Sequence, residues 1–236
     1  MQLFLVPFAG GNLYSFKNLV NQIDSRIDVV PIEYAGRGTR MNEEFILDYD
    51  AFLEDVSLYI KKKRNKALPF CILGYSLGSA IVYDLLEKEM LSEHPKHVFI
   101  CAREALNHES KSQRYNQLSE DEFLQKIIDL GGMNQQILGN RRFLDIYMKP
   151  LRADYKIWGQ YRYSANNKLL AEDITMFYSE KDTPFRSVEG WKNLTSGKVV
   201  FYEFGDNHFF INSYYKEMAE IINQILVSQL EDKGVK

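Results

Sequence analysis

The chain is poor in cysteine: 236 residues hold two, Cys71 and Cys101, both inside apolar runs. That excludes a disulfide framework and leaves two buried, reduced thiols as the expectation. No segment approaches the roughly 18 apolar residues that a membrane helix needs. The N-terminal stretch Leu3-Phe4-Leu5-Val6 is short and has no basic region before it, so it does not read as a signal peptide. The expectation is therefore a cytoplasmic chain that begins at Met1. Charge of one sign is also lacking. The 29 Lys plus Arg face 32 Asp plus Glu, a net charge of -3, which gives no global attraction to nucleic acid or to an anionic membrane. Repeats, low-complexity tracts and Pro/Ser-rich linkers are absent as well. Nothing marks a boundary, and one domain over residues 1–236 is expected.

What remains is a composition with 45% hydrophobic and 26% charged residues, enough to bury a sizeable core. Short β-branched and aromatic runs alternate with longer amphipathic stretches. Strands are expected over residues 2–6, 28–33, 70–73, 97–101, 173–178 and 198–204. Helical spacing covers 12–23, 49–63, 77–91 and 213–230. Strand–helix alternation of this kind predicts an α/β fold, a mostly parallel central sheet with helices on both faces. One stretch breaks the rhythm. Residues 107–171 carry helical periodicity over 121–130 and 141–161 and no strand, which reads as a helical lid folded over the sheet's C-terminal edge. Ligands bind at that edge in open α/β sheets.

The main chemical signal is Gly74-Tyr75-Ser76-Leu77-Gly78. G-x-S-x-G alone is a weak match, but here an apolar strand precedes it and a helix follows. In that context the turn is tight, the flanking positions must be Gly, and the serine oxygen stands exposed at the positive end of the helix. The competing reading is an ordinary turn with a serine N-cap. A serine nucleophile needs a base, and the chain has four histidines. His94 and His97 flank Pro95 and read as surface turn residues; their H-x-x-H spacing lacks a carboxylate or Cys partner and is a poor zinc signature. His108 has no evident role. His208 lies in Phe204-Gly205-Asp206-Asn207-His208-Phe209-Phe210, between the last strand and the last helix, where this fold presents its base.

Two carboxylates compete to orient that imidazole. Asp182 follows the fifth strand at the same sheet edge and gives the chain order Ser, Asp, His. Asp206 lies two residues from His208 and would reach its far side only with strain, so Asp182 is favoured. Pro7-Phe8-Ala9-Gly10-Gly11 ends the first strand, and its glycines let backbone approach a developing oxyanion. The N–H groups of Ala9 and Leu77 are the expected donors. No phosphate-loop signature accompanies these glycines. No metal and no cofactor are called for.

With these pieces placed, the chain resembles the type II (external) thioesterases of nonribosomal peptide and polyketide assembly lines, members of the α/β-hydrolase superfamily. The resemblance spans nearly the whole chain. It rests on Pro7 to Gly11 for the family's P-F-A-G-G, on Ala35-Gly36-Arg37 for its P-G-R, and on the elbow, where Tyr75 and Leu77 fill the places of the usual H and M in G-H-S-M-G. In the lid it rests on Leu118 to Leu124, on Leu130-Gly131-Gly132-Met133, and on Pro150-Leu151-Arg152-Ala153-Asp154-Tyr155. Gly205 to Phe210 resembles the family's G-G-H-F-F loop, whereas Tyr178-Ser179-Glu180-Lys181-Asp182 departs from its Gly-rich approach to the aspartate.

The resemblance implies that Ser76, Asp182 and His208 form the triad. It also implies a substrate that is an acyl group on the phosphopantetheine arm of a carrier protein, cleared by hydrolysis. An esterase or acyltransferase on the same residues, or a non-catalytic protein that binds acyl chains or carriers, stays open. No nucleic-acid or membrane partner is expected, and the chain is expected to be monomeric. A local basic surface formed by Arg37, Arg40, Arg141 and Arg142 is the candidate site for docking an acidic carrier.

Overall fold

The computed structural model describes residues 1–107, 111–133, 139–163 and 168–231. Six strands, β1 (Gln2–Val6), β2 (Asp28–Pro31), β3 (Phe70–Tyr75), β4 (Val98–Cys101), β5 (Ile174–Tyr178) and β6 (Val199–Glu203), form one sheet in the order β2-β1-β3-β4-β5-β6. Every neighbouring pair is parallel. The four inner strands are buried at every position while β2 and β6 are partly open, as expected of central strands covered on both faces.

Helices α1 (Lys17–Val20), α2 (Tyr49–Lys63), α3 (Leu77–Glu87), α4 (Glu120–Asp129), α5 (Arg141–Trp158), α6 (Phe185–Val188) and α7 (Ile211–Glu231) supply the cover. Alternation along each strand splits the core in two. Phe4, Ile72, Ile100 and Met176 pack with Leu53 of α2, Ile81 of α3 and Ile157 of α5. Leu5, Leu73, Phe99 and Phe177 face Leu19 of α1 and Met218 and Ile222 of α7. Cys71 and Cys101 are free and buried, and burial pushes the Cys71 thiol up to about 12.

Several boundaries differ from the sequence expectation for local reasons. The stretch 12–23 forms a 3-10 turn, Leu13–Phe16, and the single turn α1, rather than one helix. Asn12 and Ser15 cap its start reciprocally, and Asn223 of α7 ends it by donating to the Gln22 carbonyl and accepting from the Asp24 N–H. β2 ends at Pro31 on the sheet edge, where a missing N–H costs no bond to β1; Ile32 N–H still donates to Leu5 O at 2.9 Å. Helix α3 ends at Glu87 rather than 91. Glu89 adopts φ 52°, and the bonds Met90 N–H to Leu85 O and Glu89 N–H to Leu86 O close a Schellman cap.

Between β4 and β5 lie a 3-10 helix, Lys111–Gln117, then α4 and α5. Helix α4 starts on a reciprocal capping box between Ser119 and Glu122. Arg152 of α5 places its guanidinium 3.9 Å from the Phe123 ring centroid of α4 and donates to the carbonyls of Leu118 and Ser119. The L-S-E-D-E-F and L-R-A-D segments thus fasten these two helices to each other.

Candidate active site

Ser76 sits between β3 and α3 with φ 54° and ψ -109°, a backbone conformation rare for a side-chain-bearing residue. The turn tolerates no larger neighbours. A Cβ at Gly74 would lie 2.5 Å from the Gly78 carbonyl oxygen, and one at Gly78 would lie 2.1 Å from that of Val6. The turn is braced from β4, where Cys101 O accepts from the Ser76 N–H at 2.8 Å, and by Ser79 Oγ, which donates to Gly74 O at 2.7 Å.

His208 Nε2 lies 2.9 Å from Ser76 Oγ, and its Nδ1 lies 2.7 Å from Asp182 Oδ2. The side chains of His208 and Asp182 are only 11% and 13% exposed. A hydroxyl on one ring nitrogen and a carboxylate on the other is the arrangement that fixes the tautomer, activates the hydroxyl and stabilises the imidazolium. Asp206 points elsewhere: it accepts from the Ser213 hydroxyl and from the Asn207 N–H, and these bonds, Ser213's first, hold its carboxyl below the usual range.

Two residues that sequence reasoning passed over hold this geometry. Tyr75, fully buried, donates its hydroxyl to the His208 carbonyl at 2.7 Å. Ser179, also fully buried, donates to the Asp206 carbonyl, while its Oγ accepts from the Lys181 N–H and its carbonyl from the Asp182 and Thr183 N–H groups. One serine therefore ties the aspartate turn to the histidine loop. Tyr75 and Ser179 stand where the resembled family's pattern has other residues, and that departure is the signal that could have flagged them.

The loop Pro7 to Gly11 approaches the elbow from β1. Among the described residues no hydrogen bond takes the backbone N–H of Ala9 or of Leu77, so both donors remain open. The loop is clamped from two sides: Tyr34 donates to Pro7 O at 2.7 Å, and Asp154 of α5 accepts from the Gly10 N–H at 2.7 Å. Gly10 has φ 77°, and a Cβ there would meet Leu151 at 2.7 Å, so α5 lies directly against the loop. Phe8 packs edge-on against Phe209, beside His208, with ring centroids 5.0 Å apart.

The remaining histidines lie apart from this site. His94 Nδ1 is 2.7 Å from Glu172 Oε1. His97 is not the surface residue expected: it is buried one position before β4, its ring 4.8 Å from that of Phe99 and Nε2 2.8 Å from Thr175 Oγ1. His108 lies outside the described residues. Two of the four arginines expected on a docking surface are also unavailable. Arg37 is buried and bonded to Asp154, and Arg40 is forked between Asp55 and Glu43. Arg141 and Arg142 are exposed.

A parallel sheet with this elbow and this histidine loop at its C-terminal edge defines an α/β-hydrolase. More narrowly, residues 1–226 match the thioesterase domain, and the chain belongs to that family. It is 31% identical to the medium-chain S-acyl fatty acid synthase thioesterase of Rattus norvegicus, over 89% of this chain and 81% of that one. It is 27% identical to the gramicidin S biosynthesis protein GrsT of Aneurinibacillus migulanus, over 94% of this chain and 87% of that one. The crystal structure of ClbQ, from the colibactin NRPS/PKS pathway, has the same fold, with a TM-score of 0.88 and 22% identity over 96% of this chain and 97% of that one. The protein is a thioester hydrolase. Among the described residues no helix is long and apolar enough to cross a membrane.

Proposed function

We propose that the protein removes acyl groups from the phosphopantetheine arms of carrier proteins in a nonribosomal peptide or polyketide assembly line, with Ser76, His208 and Asp182 as its catalytic triad. The observation that carries the triad is the unbroken line of hydrogen bonds Ser76–His208–Asp182. Similarity to ClbQ, from the colibactin NRPS/PKS pathway, and to GrsT, a gramicidin S biosynthesis protein, supports the assembly-line setting.

In this reading His208 Nε2 accepts the Ser76 hydroxyl proton as Oγ attacks the thioester carbonyl. The N–H groups of Ala9 and Leu77 donate to the oxyanion of the tetrahedral intermediate. The C–S bond then breaks, and Nε2–H returns its proton to the departing pantetheine sulfur. A water that gives its proton to the same nitrogen attacks the acyl-serine, and a second collapse frees the acid and restores the Ser76 hydroxyl. Asp182 holds Nδ1–H throughout and does not itself take the proton. The helices between β4 and β5 act as the lid, covering the acyl group and framing the entry of the arm. Hydrolysis rather than acyl transfer is the expected outcome when water reaches the acyl-serine.

The test is a panel of acyl-carrier thioesters with and without an amine acceptor. Free acid should form in both arms, and Ser76→Ala should lose several orders of magnitude in rate. Because the Ser76 side chain is small, only half-buried, and hydrogen-bonded through its hydroxyl to His208, the variant should melt close to the parent. Retained turnover would remove Ser76 as the nucleophile, and capture of the acyl group by the amine would make the protein a transferase.

A further inference from the structure

The cavity beside Ser76 has a volume of about 430 Å3, and its wall includes Asp182, His208, Tyr115, Tyr155 and Arg103. Arg103 is the unusual member. It is 6% exposed, yet among the described residues its guanidinium makes no hydrogen bond and no ion pair, and its Nε is fully buried without an acceptor. A buried cation without an anion is costly, and native interiors pair such groups or give them a ligand.

The backbone around Arg103 is fixed with respect to the elbow. Cys101 O accepts the Ser76 N–H, and Ala102, held by a bond from its N–H to Phe177 O at 3.0 Å, adopts φ 49°. This strained residue turns the chain at the end of β4 and delivers Arg103 into the cavity wall. The guanidinium lies over the Trp158 ring, its carbon 4.3 Å from the ring centroid. None of its N–H groups meets an acceptor among the described residues, and the planar N–H fork matches a carboxylate through two parallel hydrogen bonds. The nearest acids, Glu104 and Asp182, act on it only at a distance, and Asp182 is committed to His208. Arg186 and Glu104 also line this cavity and carry opposite charges, which leaves Arg103 as its buried cation without an ion pair among the described residues.

We propose that Arg103 is a specificity residue that receives a carboxylate carried by the acyl chain, so that thioesters of dicarboxylic acids are a preferred substrate class of this enzyme. The inference rests on the reading of Ser76 as the nucleophile, since it places the acyl group in the cavity that Ser76 and Arg103 share. The phosphate of the pantetheine arm is the other anion in such a substrate. It sits at the far end of the arm, whereas Arg103 follows two residues after the strand partner of the elbow, so the acyl carboxylate is the anion assigned.

The experiment compares succinyl-pantetheine with succinamoyl-pantetheine, which has the same shape and no charge. The wild-type enzyme should show the higher kcat/KM for the succinyl thioester. R103Q should lower the succinyl-to-succinamoyl ratio at least about 30-fold, the range for removing one partner of a buried charge pair. A wild-type ratio at or below one, or an equal loss on both substrates in R103Q, would overturn the proposal; equal loss would make Arg103 a support for Trp158 and its helix. Repeating the pair on phosphorylated pantetheine separates the two anions. A penalty confined to the phosphorylated arm would assign Arg103 to the phosphate and also overturn the proposal. Should R103Q fail to fold, calorimetry on Ser76→Ala gives the same comparison, and binding of the succinyl thioester no tighter than that of the succinamoyl thioester would be decisive against it. Turnover of the succinamoyl thioester by wild type against Ser76→Ala reads the triad separately from the Arg103 ratio.

Discussion

Arg37 and Asp154 meet in a two-pronged buried ion pair, Nη1 and Nη2 each 2.6 Å from a carboxylate oxygen, with Asp154 wholly shielded from solvent. The arginine follows β2 and the aspartate belongs to α5, and both reach the loop after β1. Asp154 accepts from the Gly10 N–H, and Arg37 donates to Gly11 O at 3.3 Å. Two segments 117 residues apart therefore set the path of the loop that presents the Ala9 N–H, and one of them is the long helix of the β4–β5 insertion.

Removing one side of this pair leaves the other charge buried and alone. Asp154→Ala is expected to cost about 3–5 kcal/mol of stability, measured by urea denaturation. Any folded fraction should hydrolyse slowly, because Gly10 loses its acceptor and the loop its clamp. A loss below about 1 kcal/mol would mean that water replaces the carboxylate and that the loop holds its path unaided.

The two candidate aspartates should separate cleanly. Asp182→Asn should lower kcat by about four orders of magnitude, the range for losing the carboxylate that fixes the histidine tautomer. Asp206→Asn should change it by less than about tenfold, since Asp206 meets Ser213 and the Asn207 N–H rather than the imidazole. A reversed ranking in steady-state kinetics would reassign the role.

The sheet, the elbow and the histidine loop were legible because each is written in local pattern: apolar runs, glycines around a serine, a His between a strand and a helix. Chain order pointed to Asp182 over Asp206. Features built by distant contacts were not legible. Arg37 reads as a solvated cation until Asp154 arrives from α5, and Arg40 until Asp55 does. His97 follows a proline and reads as turn, yet Phe99 and Thr175 enclose it. The end of α3 carries Glu89 where a left-handed cap usually has Gly, so no residue announced it. Arg103 gave no signal at all, because an unpaired arginine looks the same in sequence whether it faces water or a cavity.

His97 should make the protein sensitive to mild acid. Burial lowers its folded-state pKa from the usual 6.5 to about 4. Between those values the unfolded chain binds a proton that the native protein excludes, so stability is full above about pH 6.5 and falls as pH drops towards 4. His97→Gln keeps a polar partner for Thr175 and removes the titration. Its melting temperature should fall less than that of the parent between pH 7 and pH 5, a difference of up to about 2 kcal/mol. Parallel pH profiles would show that His97 is hydrated or protonated in the fold.

The last prediction concerns the carrier. Arg141 and Arg142 occupy the first turn of α5, are exposed, and make no ion pair among the described residues. Cations at a helix N-terminus oppose the helix dipole, so the fold gains nothing from two of them there; an acidic partner would. Arg37 and Arg40 are spent on internal carboxylates, which leaves the α5 pair to carry the electrostatic docking expected of a carrier protein. Charge reversal to Arg141→Glu with Arg142→Glu complements the dipole and should leave the melting temperature equal or higher. Steering acts mainly on association and is screened by salt. The double variant should therefore raise KM for an acyl-carrier protein by about tenfold at low ionic strength, with the gap closing as salt is added. Hydrolysis of a small acyl-pantetheine thioester, which has no carrier surface to steer, should keep the parent's kcat/KM. Equal losses on both substrates would place these arginines in the support of the insertion rather than at a docking surface, and a salt-independent KM would exclude charge as the attraction.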